Sequence, residues 1–458
     1  MNRTFFFASA LLPFGWCRNV RVEVHQGSIE RVSIEAAADP RDQHEALVVP
    51  GLPNVHSHAF QRAMAGLAER LGPDGTDDFW SWREVMYRFL GQLEADDIEA
   101  IAAYAYADML EAGFTSVAEF HYLHRTPKGG LYDDPAELSM RHLAAAETTG
   151  IGLTFLPVFY ESSQFGGAPP TEGQRRFITD LDTFGRIVER VRKSAAESPQ
   201  RKAGVALHSL RAVTFDHLAE LLSRHADGPI HIHAAEQLKE VADCLSFCGL
   251  RPVEWLLRNT RLDGSWCVVH ATHLTPEETV GLAASGAVAG LCPLTEANLG
   301  DGIFPAVPFR NAGGKWGIGT DSHIQLTAAG ELRQLEYSQR LHSRTRNALA
   351  TLERSSTAAS LYDAALAGGA QALAQRVGAI APGYRADFLV LDDRHPDLAG
   401  RSGDAILDTW VFAVDRGLIR AVIAAGKTVV VGSRHCDRER LDAAYRRVML
   451  RLLGAGSA

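Results

Sequence analysis

Eight short apolar runs alternate with helix-compatible stretches along most of the chain, and this alternation constrains its fold more than any other feature. The runs are LVVPGLPNVH (47–56), FTSVAEF (114–120), GLTFLPVF (152–159), AGVALHS (203–209), PIHIH (229–233), WCVVH (266–270), AVAGLCP (287–293) and KWGIGTD (315–321). Between the first two lies EADDIEAIAAYAYADMLEAG, where Ile98, Ile101, Ala105 and Leu110 recur near helical spacing. Repeated strand-then-helix units predict an α/β chain folded as a (β/α)8 TIM-type barrel. The two ends differ: RNVRVEVHQGSIERVSIE alternates Val and Ile with charges around Gln26-Gly27, and RADFLVLDD, TWVFAV and IRAVIAAGKTVVVG near the other end also read as strands.

A length of 458 residues gives room for a barrel plus a satellite domain. The net charge of −9, with no Lys/Arg-rich block, argues against a nucleic-acid partner and leaves small, locally recognised anions open. No segment reaches the ~20 uninterrupted apolar residues of a membrane span, so no membrane association is expected. The start, MNRTFFFASALLPFGW, imitates a weak signal peptide but is broken by Pro13 and Gly15 and leads directly into strand-like sequence. Six scattered cysteines form no dense framework, which suits a reducing, cytoplasmic compartment.

Polar residues gather where the runs end. His56, Glu119, His208, His233, His270 and Asp321 stand at or near carboxyl ends, the face on which barrel active sites assemble. Alternate strand residues face one side, so His56 and His58 in PNVHSHAFQRAMAG present two imidazoles to one point. Alone, the pair is weak. With HIHAAE (231–236), VVHATH (268–273) and GTDS (319–322) at later strand ends, a catalytic metal shell becomes the expected reading.

The set PNVHSHAFQRAMAG, HIHAAE, VVHATH, GTDS and GYRADFLVLD resembles the amidohydrolase superfamily along essentially the whole chain. Within it, HSHAFQRAMAG, FWSWREVMYRF, EFHYLH and HSLRAV resemble the formimidoylglutamate (N-formimino-L-glutamate) deiminases. The resemblance implies that both chain ends join in a small β-sandwich domain, dividing the chain into 1–49, a barrel at 50–375, and 376–458 with a terminal helix. It assigns His56, His58, His233 and Asp321 as ligands of one divalent metal ion, zinc by expectation, with His231 deeper in the barrel and His273 outside the metal shell. His208 stands where binuclear relatives carry a bridging lysine, so one metal is expected. Metal-activated water would attack the formimino carbon, with Asp321 and His270 accepting its proton or steadying the nucleophile and Glu236 passing a proton to the departing nitrogen.

The implied substrate is a small anion carrying two carboxylates, for which forked arginine contacts are suited. By resemblance Arg83, Tyr122, His208 and Arg211 contact the carboxylates and Gln61 the formimino end, with Trp80 and Trp82 packing the loop around Arg83. The implied activity is hydrolytic deimination of N-formimino-L-glutamate to N-formyl-L-glutamate and ammonia in histidine degradation, by a homodimer. Alternatives are a heterocycle deaminase of the guanine or S-adenosylhomocysteine type and a non-catalytic scaffold. The Gly/Pro-rich stretch SSQFGGAPPTEGQ (162–174) is a candidate lid.

Overall fold

The computed structural model describes residues 2–72, 75, 77–414 and 417–454. Its first four strands are β1 (Asn2–Leu12), β2 (Gly15–His25), β3 (Ser28–Ser33) and β4 (Gln43–Pro50). The barrel follows: β5 (Leu52–Ser57), β6 (Phe114–His121), β7 (Gly152–Phe159), β8 (Arg201–Ala203), β9 (Val205–Leu207), β10 (Ile230–Ala234), β11 (Trp266–His270), β12 (Val288–Leu291) and β13 (Lys315–Ile318). The chain then returns to the first unit through β14 (Phe388–Leu391), β15 (Ile419–Ala424), β16 (Lys427–Val431) and β17 (Arg434–His435), and ends in the helix Arg438–Gly454.

The barrel strands are parallel in the order β5-β6-β7-β9-β10-β11-β12-β13, with β8 pairing β7 alone. Closure between β13 and β5 is made beyond the regular ladder, where Thr320 and Asp321 donate to the His56 carbonyl and His58 donates to the Asp321 carbonyl at 3.0–3.1 Å. The seam of the barrel therefore coincides with three of the proposed ligands. Inside pack small and branched side chains such as Val55, Ala118, Leu156, Ala206, Cys267 and Val269, and a larger apolar layer joins the outer strand faces to the helices. Gly368 in the helix Thr357–Leu373 permits the closest of these contacts, because a Cβ there would meet the Trp316 carbonyl oxygen at 1.9 Å.

Both chain ends do build a single separate sheet, ordered β17-β16-β15-β14-β4-β1-β2-β3. Its core holds Phe5, Phe7, Val20, Val22, Phe388 and Ile423. The Gln26-Gly27 turn joins β2 to β3 with both residues at positive φ, the conformation a tight hairpin needs.

Two strand readings are corrected. The run 47–56 is split at Gly51, so its first half closes the end sheet as β4 and its second half opens the barrel as β5. A side chain at Gly51 would collide with Thr115 at 2.2 Å, which lets the backbone thread between the two units. TWVFAV is not a strand: Asp404–Phe412 is an α-helix with Ile406, Leu407, Trp410 and Val411 buried. Packing of Trp410 against Tyr362 of the helix Thr357–Leu373 overrides the strand preference of Trp, Val and Phe.

Arg385 ties the two units together. It is buried, pairs with Asp387 at 2.6 Å, and donates to the carbonyls of Thr115 at 2.9 Å and Gly150 at 2.8 Å at the start of neighbouring barrel strands. Replacing one member of such a pair leaves the other charge buried alone. Arg385→Met is expected to lower stability by about 3–5 kcal/mol, read from urea unfolding of the purified chain.

Candidate active site

His56 ends the core of β5, His58 follows it, His233 lies on β10 and Asp321 follows β13. His56 Nε2 lies 3.1 Å from His58 Nε2 and 3.0 Å from His233 Nε2, and Asp321 Oδ1 is 3.4 Å and 3.3 Å from the first two. The ring orientations are set from behind: His58 Nδ1 donates to the Phe120 carbonyl at 2.8 Å, and His233 Nδ1 donates to the His208 carbonyl at 2.9 Å. Those two rings therefore turn unprotonated Nε2 lone pairs toward a common centre. Burial, the largest influence on each, pushes the pKa of all three histidines down and keeps them neutral. Neutral imidazoles and a carboxylate are the donors a divalent ion takes. The 3.0–3.4 Å separations also match the edge, about 3.3 Å, of a tetrahedron with ligands near 2.0–2.1 Å. The residues fit a metal.

His270 and Glu236 flank this centre. Glu236 Oε1 is 3.7 Å and Asp321 Oδ2 3.9 Å from His270 Nε2. Burial pushes the Glu236 carboxyl up to about 7, Asp321 and Glu240 add to the rise, and His270 and Arg211 oppose it. Burial disfavours charge on His270, but the carboxylates of Glu236, Glu296 and Asp321 outweigh it and hold its pKa well above the ordinary value. A buried acid and a buried base thus share one wall.

The pocket over the centre is lined by His58, Gln61, Arg83, Tyr122, His208, Arg211, His233, Glu236 and Asp321 among others. Every expected substrate contact is in this lining. Gln61 Nε2 donates to the Tyr122 hydroxyl at 2.9 Å, and its Oε1 has no partner. The Nε atoms of Arg83 and Arg211 are buried without an acceptor, and among the described residues neither arginine makes an ion pair. Their guanidiniums lie over the Trp80 ring instead, at 4.7 Å and 5.7 Å. Two such cations beside a cavity are suited to a carboxylate-bearing ligand.

The Amidohydrolase family profile matches residues 47–429. The chain belongs to the amidohydrolase family. A second profile, the N-terminal domain of formimidoylglutamate deiminase HutF, matches residues 3–46. The chain is 51% identical to formimidoylglutamate deiminase of Pseudomonas aeruginosa over 98% of its own length and 99% of the relative's. It is 28% identical to 8-oxoguanine deaminase of the same species, over 87% of this chain and 86% of that one. Among solved structures, an amidohydrolase from Brucella melitensis superposes with a TM-score of 0.94 at 48% identity, covering 98% of this chain and all of the other, 100%.

Several features of this amidohydrolase escaped the sequence reading. Glu119 had been noted only for its place at a strand end. It points outward from β6, while its neighbour Phe120 packs against His56, His58 and His233. Its carboxylate accepts from Ser57 Oγ at 2.5 Å and from the Ala59 N–H at 2.8 Å, and so holds the residues on both sides of His58. Asn54 does the same for the seam, donating to Thr320 Oγ1 at 2.7 Å and accepting from the His56 N–H at 3.2 Å. The loop 162–174 contributes nothing to the pocket lining, which instead draws on the helix Phe79–Leu90 through Phe79, Trp82, Arg83, Met86 and Tyr87. Trp82 thus lines the pocket, and Trp80 faces its arginines. His231 donates to the Ala372 carbonyl at 2.9 Å, away from the donor cluster.

Burial pushes the Glu119 carboxyl up to about 8, while hydrogen bonds from Ser57, Ala59 and Tyr106 pull it down. In Glu119→Gln the new NH2 faces one of these donors and leaves it unmatched. The expected cost is about 1–3 kcal/mol, measured by denaturant unfolding against the parent.

Proposed function

We propose that this chain hydrolyses N-formimino-L-glutamate to N-formyl-L-glutamate and ammonia, as the formimidoylglutamate deiminases do in histidine degradation. The observation that carries the proposal is the pair Arg83 and Arg211, whose Nε atoms are buried without an acceptor and which form no ion pair among the described residues, over a metal-type donor cluster. A neutral heterocycle would leave both cations unmatched, whereas the glutamate moiety brings two carboxylates to them. The 51% identity to a formimidoylglutamate deiminase supports the same substrate.

His56, His58, His233 and Asp321 would hold one divalent ion, zinc in our reading. When bound, that ion supplies water activation near neutral pH and charge stabilisation at the reacting carbon. Arg83 and Arg211 anchor the carboxylates, with Tyr122 and His208 completing the contacts and Gln61 turned to the formimino group. Glu236, poised near neutrality, delivers a proton to the nitrogen that leaves as ammonia. Asp321 takes up the proton released by water and His270 steadies the nucleophile, so hydrolysis returns the site to its starting charge.

The division at 1–49, 50–375 and 376–458 belongs to the same proposal, supported by β4 ending at Pro50 and β14 beginning at Phe388. So do a homodimeric state and a cytoplasmic location. Among the described residues no helix is long and apolar enough to cross a membrane.

Ammonia release should be fast with N-formimino-L-glutamate and negligible with guanine, S-adenosylhomocysteine or a formamidine lacking carboxylates; preference for a heterocycle would overturn the substrate. Metal analysis should find one divalent ion per chain, and chelation should abolish turnover and lower the melting temperature. Glu236→Gln is expected to keep that ion while losing turnover. Arg211→Met is expected to act mainly on KM, by about 2–5 kcal/mol in substrate binding, and unchanged kinetics would remove Arg211 from the clamp.

A further inference from the structure

His270 occupies an unusual place at the end of β11. Its φ is +66° and that of Ala271 is +49°, a left-handed bend that non-glycine residues adopt only when their surroundings compel it. The Ala271 N–H donates to the Ala234 carbonyl at 3.1 Å and the His273 N–H to the Ala235 carbonyl at 3.0 Å, so the bend is stitched to the end of β10. These contacts place the His270 backbone. They do not orient its ring.

The ring is oriented by a carboxylate from the next loop. Glu296 Oε1 lies 3.2 Å from His270 Nδ1. Glu296 is 5% exposed and belongs to the short helix Pro293–Leu299, directly after β12. The same Oε1 accepts from the Cys292 N–H at 2.8 Å, folding the side chain back over the strand end. That helix is itself anchored twice more: the Leu294 N–H donates to Glu331 Oε2 at 2.9 Å, and Thr295 Oγ1 lies 3.1 Å from Ser322 Oγ, next to Asp321.

We infer that Glu296 is a positioning residue for His270. It accepts the Nδ1 proton and so sets the angle of the ring, with Nε2 facing Glu236 and Asp321. A histidine whose second nitrogen is held by a carboxylate is both oriented and made a stronger base, and loss of such an outer partner commonly costs 10–100-fold in activity. Glu296 lies outside the pocket lining and is not one of the four proposed ligands, so its route to the site is the His270 ring. In the sequence it appears only as the acid of CPLTEANLG (292–300), with no spacing that ties it to VVHATH.

The inference rests on the proposed deimination for its kinetic readout but not for its spectroscopic one. Glu296→Gln keeps an oxygen for the Cys292 N–H and removes the charge; Glu296→Ala removes both. With metal content equal to wild type, kcat for ammonia release should fall about 10–100-fold in Glu296→Ala and less in Glu296→Gln, with KM within about threefold. In 15N-histidine spectra, the His270 signals, assigned by His270→Asn, should show an Nδ1-protonated ring in the parent and altered protonation in Glu296→Ala. Should Glu296→Ala not fold, Glu296→Leu, which also removes the acceptor but keeps the volume, decides by the same readouts. A kcat within twofold of wild type with unchanged His270 signals overturns the inference, as does a change confined to KM or metal content. If wild type does not act on formiminoglutamate yet the His270 signals still respond, the substrate reading falls and the positioning role stands.

Discussion

The structure turns on bringing His58 Nε2, His233 Nε2 and the Asp321 carboxylate to within 3.0–3.4 Å of His56 Nε2, with Asp321 also 3.3 Å from His58. Lone pairs do not gather in a buried space without a cation to share, so the rest of the barrel has to hold them there. The holding is done largely with backbone. Carbonyls of Phe120 and His208 select the tautomers of His58 and His233, and the hydrogen bonds that close the barrel between β5 and β13 also bring His56, His58 and Asp321 together. Fold closure and site assembly are therefore one event.

A second layer supports this centre from outside the barrel. Glu119 holds the Ser57 hydroxyl and the Ala59 N–H on either side of His58, and Asn54 joins the strand end to Thr320. Both are buried polar groups whose bonds are made, which rigidifies the proposed ligands that would otherwise stand on loose strand termini. The opposite logic rules the pocket roof. Among the described residues Arg83 and Arg211 form no ion pair and lie against the Trp80 ring, a contact weak enough for a charged ligand to replace. One part of the site is saturated with partners and the other is short of them, an imbalance suited to a carboxylate-bearing ligand.

Where pattern reading failed, tertiary context had won. TWVFAV has the composition of a strand, yet Ile406, Leu407, Trp410 and Val411 fall on one helical face because a neighbouring helix offers that face a surface. LVVPGLPNVH looked continuous because both halves are apolar, while the break at Gly51 depends on the side chain of Thr115 from another strand. The donor residues, by contrast, were legible, because period two on a strand and a place at its carboxyl end are local properties. Those of the substrate pocket were legible only through resemblance, since nothing in the spacing of Arg83 and Arg211 says they share a wall.

By itself the sequence determined the succession of βα units, the β-rich ends and the donor residues, because hydrophobic period and residue chemistry are written locally. Only the tertiary structure decided which groups stand behind those donors. Glu119, Asn54, Glu296 and Trp80 act across gaps of up to 266 residues through hydrogen bonds and ring contacts. Such contacts exist only once the strands have closed, because no local pattern encodes which distant side chains will meet.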